Sequence, residues 1–106
     1  MTYKLRYLPL FYEDLEKKML YIARQLQNPQ AANDLLDAVE KAILERLSSP
    51  EAFSRFFSSK ERKHPYYRIY VKNFVIYYVI LEESEENKIM EVRRFLYNRQ
   101  NWEQIF

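Results

Sequence analysis

Cationic and aromatic side chains alternate in the last third of this 106-residue chain. Arginines lie beside tyrosines there, and the group comprises Arg68, Arg93, Arg94 and Arg99 with Tyr66, Tyr70 and Tyr97. Guanidinium groups bind phosphates and carboxylates through two parallel hydrogen bonds, and aromatic rings stack on bases. This pattern predicts a surface for a polyanion such as RNA, or for an acidic protein segment.

Other residue types exclude several kinds of chemistry. The chain contains no cysteine, which excludes thiolate catalysis and cysteine-based zinc sites. It contains no glycine, which excludes the glycine-rich phosphate loops, so no nucleotide cofactor is expected. His64 is the single histidine and no acidic cluster is typical of a metal site, so we expect no metal either. His64 remains open as a proton-transfer or phosphate-binding group, or as a solvent-facing loop residue.

Length and charge set broader limits. A chain of this length with 48% hydrophobic residues is expected to form one domain, residues 1–106. No apolar run is long enough for a signal peptide or a membrane span, so we expect a cytoplasmic location. The formal net charge is only +2, but residues 60–72 are rich in cations and residues 82–86 are rich in glutamate.

Hydrophobic periodicity predicts an α+β fold in the order β-α-α-β-β-β, with a helical hairpin on one face of a mainly antiparallel sheet. Residues 3–8 alternate as a first strand before Pro9. Two amphipathic helices follow, and the second begins at Asn28 and Pro29, an N-cap and a first-turn proline. Ser49 and Pro50 repeat this signal, which predicts a short helical turn over residues 51–57.

From residue 66 the period changes to two, which predicts three more strands at residues 66–72, 74–81 and 89–97. A tight turn is expected at Lys72 and Asn73. Because glycine is absent, positive-φ positions should fall on asparagine, aspartate or lysine, with Asn73, Asn87, Asn98 and Asn101 as the favoured turn residues. In the last strand, the adjacent Arg93 and Arg94 should point to opposite faces. Glu91 is the natural partner for Arg93, two residues away on the same face.

Two stretches carry a resemblance to a known family. Residues 66–78 (YYRIYVKNFVIYY) and residues 92–102 (VRRFLYNRQNW), in this order of elements, resemble the RelE/ParE superfamily of bacterial type II toxins, which includes plasmid stabilisation proteins. The likeness extends over nearly the whole chain. It implies a small toxin that is encoded with an antitoxin, whose tail wraps the sheet and helices and masks the active surface. Members of the family either cleave mRNA on the ribosome without a metal or inhibit DNA gyrase without nuclease activity.

The resemblance also implies roles for individual residues. Arg99 matches the arginine after the last strand, and Tyr97 takes the place often held by histidine. Together with Arg68 they are the expected catalytic residues, and the expected substrate-binding residues are Lys72, Arg94, Lys63, His64 and Trp102. Messenger RNA cleavage is the leading expectation. Gyrase inhibition and an inert antitoxin-binding module remain alternatives, because Phe74 and Val75 stand where many nucleases carry an arginine and Trp102 cannot act as an acid or base.

Overall fold

A computed structural model of the protein describes residues 2–57 and 63–99. Two helices pack on a five-stranded mixed sheet, which confirms the α+β fold predicted from the sequence. In chain order the elements are β1 (Thr2–Tyr7), α1 (Pro9–Leu20), α2 (Pro29–Arg46), β2 (Arg55–Phe56), β3 (Tyr66–Val71), β4 (Phe74–Glu82) and β5 (Asn87–Tyr97). Because the sheet order is β1-β5-β4-β3-β2, the first and last strands are neighbours. They pair in parallel, and all other pairs are antiparallel.

Strand β2 was not predicted. The helical turn expected over residues 51–57 is wrong, because Arg55 and Phe56 pair with the start of β3 instead. The Phe56 ring stacks on Tyr66 with 5.8 Å between ring centroids and meets Tyr77 edge-on at 6.1 Å. Aromatic packing on the sheet therefore outweighs the local helix-start signal at Ser49 and Pro50.

The helical hairpin follows the signals in the sequence. Helix α1 continues into a π-helical turn, Tyr21–Gln25. The chain then turns towards α2 at Gln27, whose φ is 50°. Asn28 then caps α2, as predicted, because its side-chain oxygen accepts a 3.0 Å hydrogen bond from the N–H of Ala31. No helix in the described part of the chain is long and apolar enough to cross a membrane.

The sheet carries apolar side chains on both faces. The larger cluster lies between the helices and the sheet; its buried members are Phe11, Leu15, Leu35, Val39, Ile43, Tyr67, Ile69, Val71, Phe74, Ile76, Tyr78, Met90, Val92 and Phe95. The smaller cluster contains the alternate residues of the strands: Tyr66, Val75, Tyr77, Val79 and Leu96. Strand β4 contributes to both clusters, which confirms the central position predicted from its two apolar faces.

Tyr78 joins the second helix to the sheet. Its ring is fully buried, and its hydroxyl donates to the carbonyl of Pro50 at 2.6 Å. The same hydroxyl accepts from the guanidinium of Arg46 at 2.9 Å. Burial raises the pKa of Tyr78 from the usual 10.0 to about 12, although Arg46 opposes this shift.

This shift predicts a loss of stability in alkaline solution. Because the pKa of Tyr78 is higher in the folded chain than in the unfolded chain, the protonated hydroxyl contributes fully to folding stability below pH 10. This contribution is lost as the pH rises towards 12. The loss should reach about 1.4 kcal/mol for each unit separating the folded and unfolded pKa values. Urea unfolding at several alkaline pH values should therefore show a smaller decline for Tyr78→Phe than for the wild type. Tyr70→Phe, at an exposed position, serves as the control and should decline as the wild type does.

Candidate functional site

A cleft of about 660 Å³ lies where the β3–β4 turn meets the end of β5. Among the described residues, Lys72 and Asn73 line it from the turn, and Tyr97, Asn98 and Arg99 line it from the end of β5. The N–H of Asn98 donates a 2.8 Å hydrogen bond to the carbonyl of Asn73, which joins the two walls. Three residues that the sequence predicts for the site, Lys72, Tyr97 and Arg99, are thus brought together.

The tight turn falls at Lys72 and Asn73, as predicted, and its positive φ falls on lysine, one of the three residue types expected there, instead of the favoured asparagine. Lys72 rather than Asn73 has the positive φ, 53°. A positive φ at the first of two turn residues is the φ pattern of a type II′ hairpin turn, where glycine is preferred. A side chain with a Cβ is unfavourable in this conformation by about 1–2 kcal/mol. The backbone conformation that places the Lys72 side chain at the cleft therefore lowers folding stability locally.

Lys72→Gly should remove the ammonium without destabilising the fold. Removing the Cβ relieves the unfavourable conformation at φ 53°, but glycine loses about 0.5–1 kcal/mol through chain entropy. The free energy of unfolding should therefore stay level or rise by up to about 1.5 kcal/mol. Lys72→Ala is the matched control, since it removes the same charge but keeps the Cβ. Urea unfolding should rank the glycine variant above the alanine variant; the reverse order would contradict this account of the turn.

Tyr97 is held from two sides. Its ring lies 4.9 Å from the Phe74 ring on β4, measured between centroids. The Lys18 Nζ, on α1, lies 5.0 Å from the centroid of the Tyr97 ring. The tyrosine nevertheless remains 40% exposed. It can therefore touch a ligand in the cleft while its ring direction is fixed by packing.

Arg94 is paired with a carboxylate of α1 and is not among the described residues that line the cleft. Its Nε and Nη2 atoms donate to Asp14 at 2.7 and 3.0 Å, and both side chains are largely buried. Asp14 also accepts the N–H of Phe95 at 3.0 Å. The register of β1 ends at Val92, so the carboxylate takes up a β5 N–H beyond the reach of β1. A substrate-binding role for Arg94 stays a prediction.

Arg93 lies at a bulge in β5. Tyr77 pairs with Arg94 and Tyr78 pairs with Val92, which leaves Arg93 without an opposite residue on β4. Its Nε donates to Glu91 at 2.9 Å, which confirms the predicted partner, and its Nη1 donates to the Tyr66 hydroxyl at 3.1 Å.

Glu91 is a buried anion shared between two strands. It accepts hydrogen bonds from Arg93 and also from Arg6 on β1. Burial raises the pKa of Glu91, but the hydrogen bonds from Arg6 and Arg93 outweigh burial and hold it below the usual range. Glu91 therefore stays charged and links β1 to β5 across their parallel pairing.

Three other predicted site residues, Arg68, Lys63 and His64, are not among the described residues that line the cleft. The guanidinium of Arg68 stacks 4.3 Å above the Phe56 ring, on the face of the smaller apolar cluster. Lys63 and His64 precede β3, whereas Lys72 follows it, so they lie near opposite ends of a strand of six residues. Such a strand is about 20 Å long. Trp102 lies outside the described residues. The roles given to these four residues stay predictions.

The burial of two charged residues of α1 was not predicted from the sequence. Asp14 and Lys18 lie three and seven residues after Phe11, positions that share its helix face. The periodicity that marks the apolar stripe could therefore have placed them against the sheet. Burial lowers the pKa of Lys18, Arg94 and Lys17 lower it as well, and Asp14 raises it in opposition.

Within residues 2–57 and 63–99, no three histidine, cysteine or acidic side chains form a group that could hold a metal ion.

Comparisons with known proteins agree with this architecture. No curated protein matches the chain. A family model described as the ParE toxin of the type II toxin-antitoxin system parDE matches residues 5–102, nearly the whole sequence. The chain therefore belongs to the ParE toxin family of type II toxin–antitoxin systems, within the RelE/ParE superfamily that its sequence resembles.

Proposed function

We propose that this toxin cleaves mRNA on the ribosome and that the scissile phosphodiester binds in the cleft at the end of β5. The observation that carries the proposal is the meeting of Tyr97 with Lys72 and Arg99 in one cleft. Two cations suit the phosphate charge, and a phenol can exchange a proton with a ribose oxygen. The volume of about 660 Å³ lies within the usual range of small-ligand sites.

The proposed reaction is an internal transfer at phosphorus. The ribose 2′-oxygen loses its proton and bonds to the adjacent phosphorus, and the bond from phosphorus to the 5′-oxygen breaks. The leaving oxygen takes up a proton, which gives a 2′,3′-cyclic phosphate and a 5′-hydroxyl. In the proposed reaction water takes up the proton that the 2′-oxygen loses, and Tyr97 donates its phenolic proton to the leaving oxygen and regains one from solvent. Arg99 stabilises the charge that develops on the phosphate oxygens, since a guanidinium does not readily give up a proton.

Gyrase inhibition is the second candidate, and exposed apolar residues on the helical hairpin favour it. These residues are Leu10, Tyr12, Leu20, Tyr21, Leu26 and Leu44, each at least 38% exposed. A groove of about 260 Å³ between α1 and α2 adds Leu36 and Glu40 to this surface. Such a surface suits a protein partner. A toxin of this class has an antitoxin partner, so the hairpin is a candidate docking surface for the antitoxin as well as for gyrase.

Expression of the toxin in growing cells, followed by primer extension on several mRNAs, tests the proposal. We expect growth arrest with new 5′ ends at codon spacing, and Tyr97→Phe should abolish or strongly reduce both. This variant keeps the ring packing and removes only the hydroxyl. Leu44→Lys, on the exposed side of α2, is the matched variant of the hairpin and should leave cleavage intact.

A supercoiling assay with purified toxin and gyrase separates the alternatives. The proposal expects no inhibition of gyrase. Growth arrest without mRNA cleavage, unaffected by Tyr97→Phe but lost in Leu44→Lys, would overturn it in favour of gyrase inhibition. A chain that binds its antitoxin but arrests no growth would instead be an inert binding module.

A further inference from the structure

Lys18 has surroundings that the proposed function does not use. The residue is only 9% exposed, on the face of α1 that packs against the end of β5. Its Nζ lies 5.0 Å from the centroid of the Tyr97 ring and 5.9 Å from that of Phe95. An ammonium in this position is attracted by the ring faces and fixes the orientation of Tyr97 from behind.

The charge of Lys18 has no direct partner within the described residues. Asp14, one helical turn away, is bound instead by the guanidinium of Arg94 and the N–H of Phe95. Lys18 forms neither a hydrogen bond nor an ion pair there. Every fully buried side-chain nitrogen or oxygen of these residues does have a hydrogen-bond partner, so Nζ is not completely buried. Lys18, Arg94 and Asp14 together leave one positive charge in excess.

An uncompensated ammonium beside apolar rings is unfavourable in the absence of an anion. Burial lowers the pKa of Lys18, as expected for a cation in such surroundings. A phosphate placed against Tyr97 would relieve this cost, because opposite charges attract more strongly where water is partly excluded. The Lys18 ammonium therefore carries a charge that an anion could neutralise, and its Nζ is not completely buried.

We propose that Lys18, which lies against the Tyr97 ring although it is not among the described lining residues of the cleft, is a third phosphate-binding cation beside Lys72 and Arg99 and also orients Tyr97. The inference rests on the proposed function and extends it. Lys72 and Arg99 approach the cleft from its two walls, whereas Lys18 approaches Tyr97 from α1. A phosphodiester in contact with the tyrosine would then meet positive charge from three directions.

Binding of a labelled single-stranded RNA with 2′-O-methyl groups, which cannot be cleaved by attack of the 2′-oxygen, tests the inference. Lys18→Met keeps an unbranched apolar side chain on the rings and removes the charge. We expect its affinity to fall about tenfold, as for the loss of one partly desolvated charge contact. The slope of log affinity against log salt should fall by about 0.7, the value for one phosphate contact on a single strand. A purely structural role would change the melting temperature and not this slope.

Two further variants provide the controls. Lys17→Met makes the same charge change at the adjacent, exposed position and should alter affinity and slope much less. Lys18→Arg should restore most of the binding. Equal losses in Lys17→Met and Lys18→Met, or a wild-type slope in Lys18→Met, would overturn the inference while leaving mRNA cleavage untouched. Wild-type protein that binds this RNA but cleaves no mRNA would overturn only the proposed function. No binding by the wild type would overturn the inference alone, because primer extension tests cleavage on the ribosome separately.

Discussion

Replacing Asp14 with alanine should lower the free energy of unfolding by about 3–5 kcal/mol, the usual cost of removing one partner from a buried ion pair. The change leaves the largely buried guanidinium of Arg94 without its carboxylate. It also leaves the N–H of Phe95 without its acceptor. Urea unfolding measures the loss, and the dependence of the free energy on urea should keep the wild-type slope if the fold is unchanged.

The matched control is Glu16→Ala, an exposed acidic residue two positions further along α1, which should change stability by no more than about 0.5 kcal/mol. The double variant Asp14→Ala with Arg94→Met should be more stable than the single variant, because it no longer holds an unpaired buried charge. A loss below about 1 kcal/mol in Asp14→Ala would contradict this role for the carboxylate.

Arg99→Ala should slow RNA cleavage by about 10²–10³-fold, the range for removing one group that stabilises transition-state charge. Arg99 lines the cleft beside Tyr97, and its five N–H donors match the oxygens of a phosphate. Single-turnover cleavage of mRNA on programmed ribosomes measures the rate of the chemical step. Arg99→Lys should recover only part of the loss, because an ammonium keeps the charge but not the planar arrangement of donors.

Arg24→Ala is the control for charge, since it removes an exposed guanidinium from the π-helical turn that follows α1. Its cleavage rate should remain within about twofold of the wild type, as expected for a surface substitution away from the cleft. If Arg99→Ala cleaves as fast as Arg24→Ala, Arg99 has no part in the chemistry. The cleft would then be a binding surface rather than a catalytic site.

Much of the fold could be predicted because local patterns and tertiary packing agree over long elements. The change of period at residue 66 and the cap at Asn28 both mark elements present in the structure. Prediction failed where packing overrides a local signal. Strand β2 has only two residues and exists because Phe56 stacks on Tyr66, a contact that no local pattern encodes. The positive φ at Lys72 likewise follows from the hairpin and not from residue preference.

The grouping of the site residues was only partly accessible to the sequence. Lys72 and Arg99 follow strands that lie beside β4 on its two sides, so their approach at one sheet end follows from antiparallel pairing. The pairing of Arg94 with Asp14 depends on a bulge at Arg93 and on the end of the β1 register at Val92. These features join segments that are distant in the sequence, so no local pattern predicts them. The burial of Asp14 and Lys18, in contrast, follows from the helix period, because both share the helix face of Phe11.

The parallel pairing of β1 with β5 has a consequence for the order of events during synthesis. Thr2 pairs with Asn87 and Tyr7 with Val92, so the first strand has no sheet partner until β5 has left the ribosome. Pairing between such distant segments is slow, since a long loop must close first. The cleft likewise waits for the end of the chain, because one of its walls is formed by residues at the end of β5 and after it. A newly made chain therefore passes through an interval in which neither the complete sheet nor the cleft is assembled.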